Sequence, residues 1–243
     1  YQATATPPFH WPGGREIIFI IDLPSMHGME SGIVIETNYR ERLKNGEWGK
    51  LKTLGLRATH IAQLPDEIDR QVLTYLLGGR EYFGFTYNYG TSNNRYIISE
   101  QLATQVLPLA AQTGRCWIRH FGGQSDCPIL HWNVEDVYEF WLDVTKHADH
   151  FEAKGSIRRI SDQREIKLDE ITQITSEGLI FTAKSVLQLK NPEAAKWLNI
   201  LRKSKGLRVP LTQGPEFLAS LLQLQNTPKL NLPEELHVEE ITV

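Results

Sequence analysis

The sequence predicts an α+β protein: a mixed N-terminal part with two helices, then a β-rich part with two C-terminal helices. Three observations predict it. Short runs rich in β-branched and aromatic residues recur along the chain and dominate beyond Gly114. Apolar residues at helical spacing occur in two segments before Gly114 and in two after Lys190. The longest apolar run, residues 17–21, is strand-sized and far short of the ~18–20 residues that span a bilayer as a helix. With 243 residues, one or two compact units are expected, and the pattern places them at residues 1–114 and 115–243.

Element by element, residues 16–22 read as a buried strand stopped by Leu23-Pro24-Ser25. Residues 32–42 form a second strand with Ile33, Ile35, Thr37 and Tyr39 on one face, and Asn45-Gly46 turns it back into residues 48–54 as a hairpin. From Asp66, a suitable cap, Ile68, Val72, Leu73, Leu76 and Leu77 mark an amphipathic helix that Gly78-Gly79 ends. Residues 80–94 are aromatic and turn-rich and read as a loop or irregular strand. Ser99 caps a helix carrying Leu102, Val106, Leu107 and Ala110, bent by Pro108 and closed by Gly114. Strands follow at residues 115–121, 128–132, 137–145, 151–160, 165–168 and, in two pieces, 179–189. Pro192 starts a helix through Leu198 and Leu201 to Gly206, residues 207–211 return as a strand, Thr212 caps a last helix, and residues 236–243 close the chain as a strand.

Composition narrows the function. Lys and Arg number 26 against 29 Asp and Glu, and a formal charge of −3 argues against a dedicated nucleic-acid protein. Hydrophobic residues at 41% and charged residues at 23% are those of a globular chain, not a disordered one. Two cysteines allow at most one disulfide and no Asn-x-Ser/Thr site occurs, so a cytoplasmic protein is expected. The opening carries no targeting signal, and a start at Tyr1 reads as part of a longer polypeptide.

Cys116, His120, Cys127 and His131 offer the ligand types zinc takes. On two antiparallel strands, however, residues four apart lie ~13 Å from each other, and the closing register pairs Cys116 with His131 and His120 with Cys127. No metal site is therefore expected, nor one at His147 and His150. Gly123-Gln124-Ser125-Asp126 lacks the second glycine of a nucleophile elbow and reads as a turn. Neither a phosphate loop nor a dinucleotide fingerprint occurs, and the acids of Pro65-Asp66-Glu67-Ile68-Asp69 fit a helix cap. Lys190, Lys196, Arg202, Lys203, Lys205 and Arg208 stand against the single acid Glu193, enough cations to neutralise several phosphates or to complement a helix C-terminus. Candidate nucleic-acid contacts are thus Lys196, Arg202, Lys203, Lys205, Arg208, Arg158 and Arg159, with the aromatic stretch from Tyr82 to Tyr89 as a stacking surface or as core. No residue is assigned to catalysis or to a metal.

Four short stretches occur in order: Ile61-Ala62-Gln63-Leu64-Pro65-Asp66, Thr113-Gly114-Arg115-Cys116, Leu207-Arg208-Val209-Pro210 before a leucine-rich helix, and Leu230-Asn231-Leu232-Pro233-Glu234-Glu235-Leu236. From about Ile33 to the end, the chain resembles the region that precedes the motor in large bacterial Swi/Snf-type DEAD/DEAH-box helicases. The resemblance implies that the parent is an ATP-dependent DNA translocase or helicase, and so an ATP hydrolase. These residues would be its non-catalytic accessory region, regulating the motor or helping it engage DNA. It implies ATP and Mg²⁺ as cofactors of the motor and none in this chain. The partners implied are the downstream ATPase core of the same polypeptide and DNA, with no membrane. Because that core's phosphate loop and acidic box do not occur here, no catalytic residue of the family falls on any position. Two other readings stand beside it: a protein-interaction module docking through Tyr82 to Tyr89, and a metal-dependent hydrolase built on the His and Cys residues.

Overall fold

The computed structural model describes residues 10–26, 32–81, 94–120, 127–132, 135–223 and 228–236. Helices and mixed sheets form an α+β chain in two compact units, Tyr1–Trp132 and Asn133–Val243.

In the first unit, β1 (Arg15–Asp22) pairs antiparallel with β2 (Ile33–Glu41), with Ile17 opposite Tyr39 and Ile21 opposite Ile35. Ile17 through Ile21 are at most 1% exposed, so both faces of β1 are covered, as its uninterrupted apolar run requires. A short α1 (Leu23–Met26) follows β1. The expected hairpin is present: Arg42 bridges Trp48, and β3 (Lys52–Thr53) returns along β2. A short α2 (Ala58–Ile61) leads to α3 (Glu67–Leu77), whose N-cap Asp66 accepts from the Ile68 and Asp69 N–H groups at 2.8 and 3.1 Å. β4 (Arg80–Glu81) pairs with β5 (Arg95–Ile98), which pairs with β2; at four residues, β5 is too short to have shown a period in the sequence. Ser99 caps α4 (Glu100–Gln112) through the Leu102 N–H at 3.1 Å, and Pro108 sits within the helix without ending it.

The boundary expected at Gly114 falls later, between Trp132 and Asn133. The reason is β6 (Cys116–Arg119), which enters the first sheet as the parallel neighbour of β1, Phe19 opposite Cys116 and Asp22 opposite Arg119. Residues 128–132 form isolated bridges, Ile129 with Trp117 among them, not the strand expected there. That bridge sets Cys116 opposite Leu130 and Arg119 opposite Cys127, one residue off the register anticipated for the cysteines and histidines; the Leu130 N–H donates to the Cys116 carbonyl at 2.7 Å.

In the second unit, β7 (Val137–Lys146) and β8 (His150–Arg159) form a long antiparallel hairpin, with Tyr138 opposite Arg159 and Lys146 opposite Phe151. β9 (Glu165–Lys167) pairs with the far half of β8, and β10 (Gln173–Ile174), β11 (Leu179–Phe181) and β12 (Val186–Leu189) extend the sheet beyond β7. α5 (Ala194–Ser204) packs Leu198 and Leu201 into a core with Phe140, Leu142 and Ile157. It ends where Lys205 takes a left-handed conformation and the Gly206 N–H returns to the Leu201 carbonyl. β13 (Leu207–Pro210) then pairs with the near half of β8.

α6 (Gly214–Leu222) begins two residues after the expected cap: Thr212 lies in a 3-10 turn, and no side chain caps the helix. The last strand observed is β14 (Lys229–Asn231), parallel to β7, and Leu236 closes a 3-10 turn instead of opening a strand. The rest of that expected strand, residues 237–243, lies outside the described residues, as does the stretch from Tyr82 to Tyr89. Among the described residues, no helix is long and apolar enough to cross a membrane.

Candidate nucleic-acid interface

Three of the seven candidate contacts meet in the second unit. A cleft of about 790 Å³ is lined by Arg158 from β8 and by Arg202 and Lys205 from the end of α5, with Lys154, Lys167 and Gly155 beside them. Alternation along β8 places Lys154, Ser156 and Arg158 on one face, and the ends of β9 and α5 frame it.

The cations differ in what already holds them. Arg158 donates to Asp143 at 2.6 Å, lies 3.7 Å from Glu165 and rests 4.6 Å from the centre of the Trp141 ring, so it is pinned flat on the sheet. Arg202 donates to the Thr172 carbonyl at 2.9 Å. Lys154 pairs with Glu152 at 2.8 Å. The ammonium groups of Lys167 and Lys205 have no charged partner among the described residues, and the Lys167 main-chain N–H donates to Glu170 at 3.1 Å. Of the cleft's carboxylates, Asp143 also accepts from Ser156 at 3.1 Å and Asn231 at 2.9 Å, and Asp169 has no cation partner among the described residues.

The other four candidates lie elsewhere. Arg159 points to the opposite face of β8 and is held by Asp136 at 2.9 Å and Asp162 at 2.5 Å. The same arginine, with the Arg164 N–H at 3.1 Å, pulls the Asp162 carboxyl down to about 2. Lys196 and Lys203 share another side of α5, seven residues apart, and Arg208 on β13 is 75% exposed, 3.9 Å from Glu152. The sequence reading missed Lys154, Lys167 and Gly155. A glycine inside a strand pattern, Lys154-Gly155-Ser156, is the signal that could have found them, since it marks a place where another group approaches the backbone.

No protein-family model matches the chain. Nor does any curated protein or solved structure match it.

Charged groups also gather in the first unit, on the sheet face where β1, β2, β5 and β6 adjoin. Asp22 and Glu36 meet Arg95 and Arg119, with Arg119 at 3.2 Å from Asp22 and 2.8 Å from Glu36, and Arg95 paired to Asp22. Two acids match two guanidiniums, so this quartet is self-neutralised and ties four strands together. Arg40 lies against both Trp48 and Trp117, at 4.7 and 5.4 Å from their ring centres, and pairs with Glu16. Burial pushes the Cys116 thiol well above its ordinary value, which removes it as a nucleophile at neutral pH. His147 and His150 stack 4.8 Å apart at the β7–β8 turn, each beside a carboxylate, Glu152 at 3.5 Å and Asp149 at 2.7 Å. Among the described residues, no three His, Cys, Asp or Glu side chains gather as a metal site would need.

Proposed function

We propose that this chain is the non-catalytic accessory region preceding the motor of a bacterial Swi/Snf-type ATP-dependent helicase, that it works in the cytoplasm, and that its second unit helps the motor engage DNA. The ordered resemblance of the four stretches supports the parent. The observation that carries the DNA contact is the convergence of Arg158, Arg202 and Lys205 with Lys154 and Lys167 around one cleft, despite a chain charge of −3. Two further points support the reading of the stretches as a shared scaffold. Arg115 of the second stretch donates to Asp66 of the first at 3.2 Å, the third stretch is β13 on the edge of β8, and the fourth begins with Leu230 and Asn231 of β14 on the edge of β7.

Two measurements test the proposal. Reading the gene downstream of Val243 should reveal a G-x-x-x-x-G-K-[ST] phosphate loop followed by an acidic box; a frame that ends without them removes the helicase assignment. Binding of the purified chain to a labelled 20-base-pair duplex should be weak and should weaken steeply with salt. Lys167→Ala with Lys205→Ala should lower the salt slope by about two, one for each lost phosphate contact. A slope unchanged by the pair would remove the cleft from the DNA reading.

A further inference from the structure

We propose that the break in the β8 edge is a site for a single phosphate group, with the main-chain N–H of Gly155 and the ammonium groups of Lys167 and Lys205 as its donors. This rests on the DNA-engaging reading for the source of the phosphate, a nucleic-acid backbone, and deepens it by naming the group that is bound.

β8 has two partners on the same edge. β13 stops at Leu207, opposite Ala153, and β9 begins with Lys167, opposite Ser156, so Lys154 and Gly155 face a gap. The direction of the Gly155 N–H follows from strand geometry. The Arg159 N–H donates to the Arg164 carbonyl at 3.0 Å, on the β9 side. The β7–β8 register runs without a bulge from Arg159 to Phe151, and main-chain groups two residues apart point the same way. The N–H groups of Ile157 and Gly155 therefore point to that side too. Opposite Gly155 neither ladder continues, its N–H finds no acceptor among the described residues, and the cleft opens there. The place a Gly155 side chain would take is filled by Leu201, Leu168 and Phe140, so an anion reaches that donor along the open strand edge.

Size and charge select the occupant. Three residues separate the last rung of one ladder from the first rung of the other, about 10 Å at ~3.3 Å per residue. One compact tetrahedral anion fits this opening; an added peptide strand of ~5 residues does not. Glu152 matches Lys154 and Arg158 matches one of Asp143 and Glu165, while Arg202 meets only the neutral Thr172 carbonyl, so Arg202, Lys167 and Lys205 stand against Asp169 and one further carboxylate. Three cations against two carboxylates favour an anion, and Lys205 also offsets the negative end of α5.

The test is an NMR titration of the ¹⁵N-labelled 243-residue chain with inorganic phosphate, then with a twelve-nucleotide single strand, following the Gly155 amide. Phosphate should move that resonance downfield in a saturable way. Lys167→Ala with Lys205→Ala should weaken the response about tenfold or more, as expected for losing charge-assisted hydrogen bonds. The oligonucleotide should produce the same shift at lower concentration. A Gly155 amide that responds to neither probe overturns the phosphate site; if DNA then still binds, the DNA reading survives through other contacts. A response to phosphate but not to the oligonucleotide overturns the nucleic acid as its source. A stronger response to a poly-glutamate peptide than to phosphate overturns the proposal in favour of an acidic protein partner.

Discussion

Arg115 grips Asp69 by both carboxylate oxygens, Nη1 to Oδ2 and Nη2 to Oδ1, each at 3.0 Å. The same guanidinium donates to the Ile17 carbonyl at 3.0 Å, so one side chain at the entry to β6 fastens α3 to β1. Burial raises the Asp69 carboxyl above its ordinary value and Arg115 pulls it back, which marks a pair whose desolvation is offset only while both members are present.

Removing one member should therefore cost more than the pair is worth. Arg115→Met should destabilise the first unit by about 3–5 kcal/mol, because Asp69 stays buried without its cation. Urea unfolding followed by signals from that unit checks this. Arg115→Met combined with Asp69→Leu should recover much of the loss, and a double variant as weak as the single one would show that the fork contributes through geometry alone.

Acid should weaken the second unit through Asp162. Its folded carboxyl sits at about 2, below the ~3.9 of an unfolded chain. The unfolded state thus takes up the proton first, so the stabilisation from Asp162 is complete above about pH 4 and is lost as pH falls towards 2. Denaturation midpoints between pH 5 and 2 should fall less in Asp162→Asn than in the natural chain.

Thiol chemistry should separate the two cysteines. Cys127 is partly exposed, whereas Cys116 is buried with its thiol held protonated. Under native conditions a disulfide reagent should label Cys127 alone, and labelling of Cys116 should follow global unfolding with the denaturant dependence of that transition. Equal rates for the two thiols would contradict the burial of Cys116.

Bulk at Gly155 should loosen α5. A Cβ there would stand 2.9 Å from Leu201 Cδ1, 3.1 Å from Leu168 Cδ1 and 3.2 Å from Phe140 Cε2. All three neighbours are side-chain ends that can give way in part, so Gly155→Val should cost about 1–3 kcal/mol without abolishing folding. Thermal unfolding of the variant provides the check.

Much of the fold was legible in the sequence because its longer elements are locally consistent. The run Ile17 to Ile21, the spacing from Ile68 to Leu77 and the caps Asp66 and Ser99 each specify an element without help from elsewhere. What escaped depends on distant pairing. β5, β10 and β14 have two to four residues and exist because β2, β11 and β7 offer them an edge, and β6 belongs to the first sheet only because β1 lies beside it. The cleft was half legible for a similar reason: charge density pointed to Arg202 and Lys205, but Lys154 and Lys167 reach the same place through strand register.

Because β14 completes β7 with residues that arrive late, the Asn231 amide meeting Asp143 across a separation of 88 positions, the hairpin emerges from the ribosome well before its last neighbour. During that interval part of the β7 edge has no strand beside it, a template for pairing with another nascent chain. Shortening the protein ahead of Lys229 would make that transient exposure permanent, and a product prone to self-association is the outcome to expect.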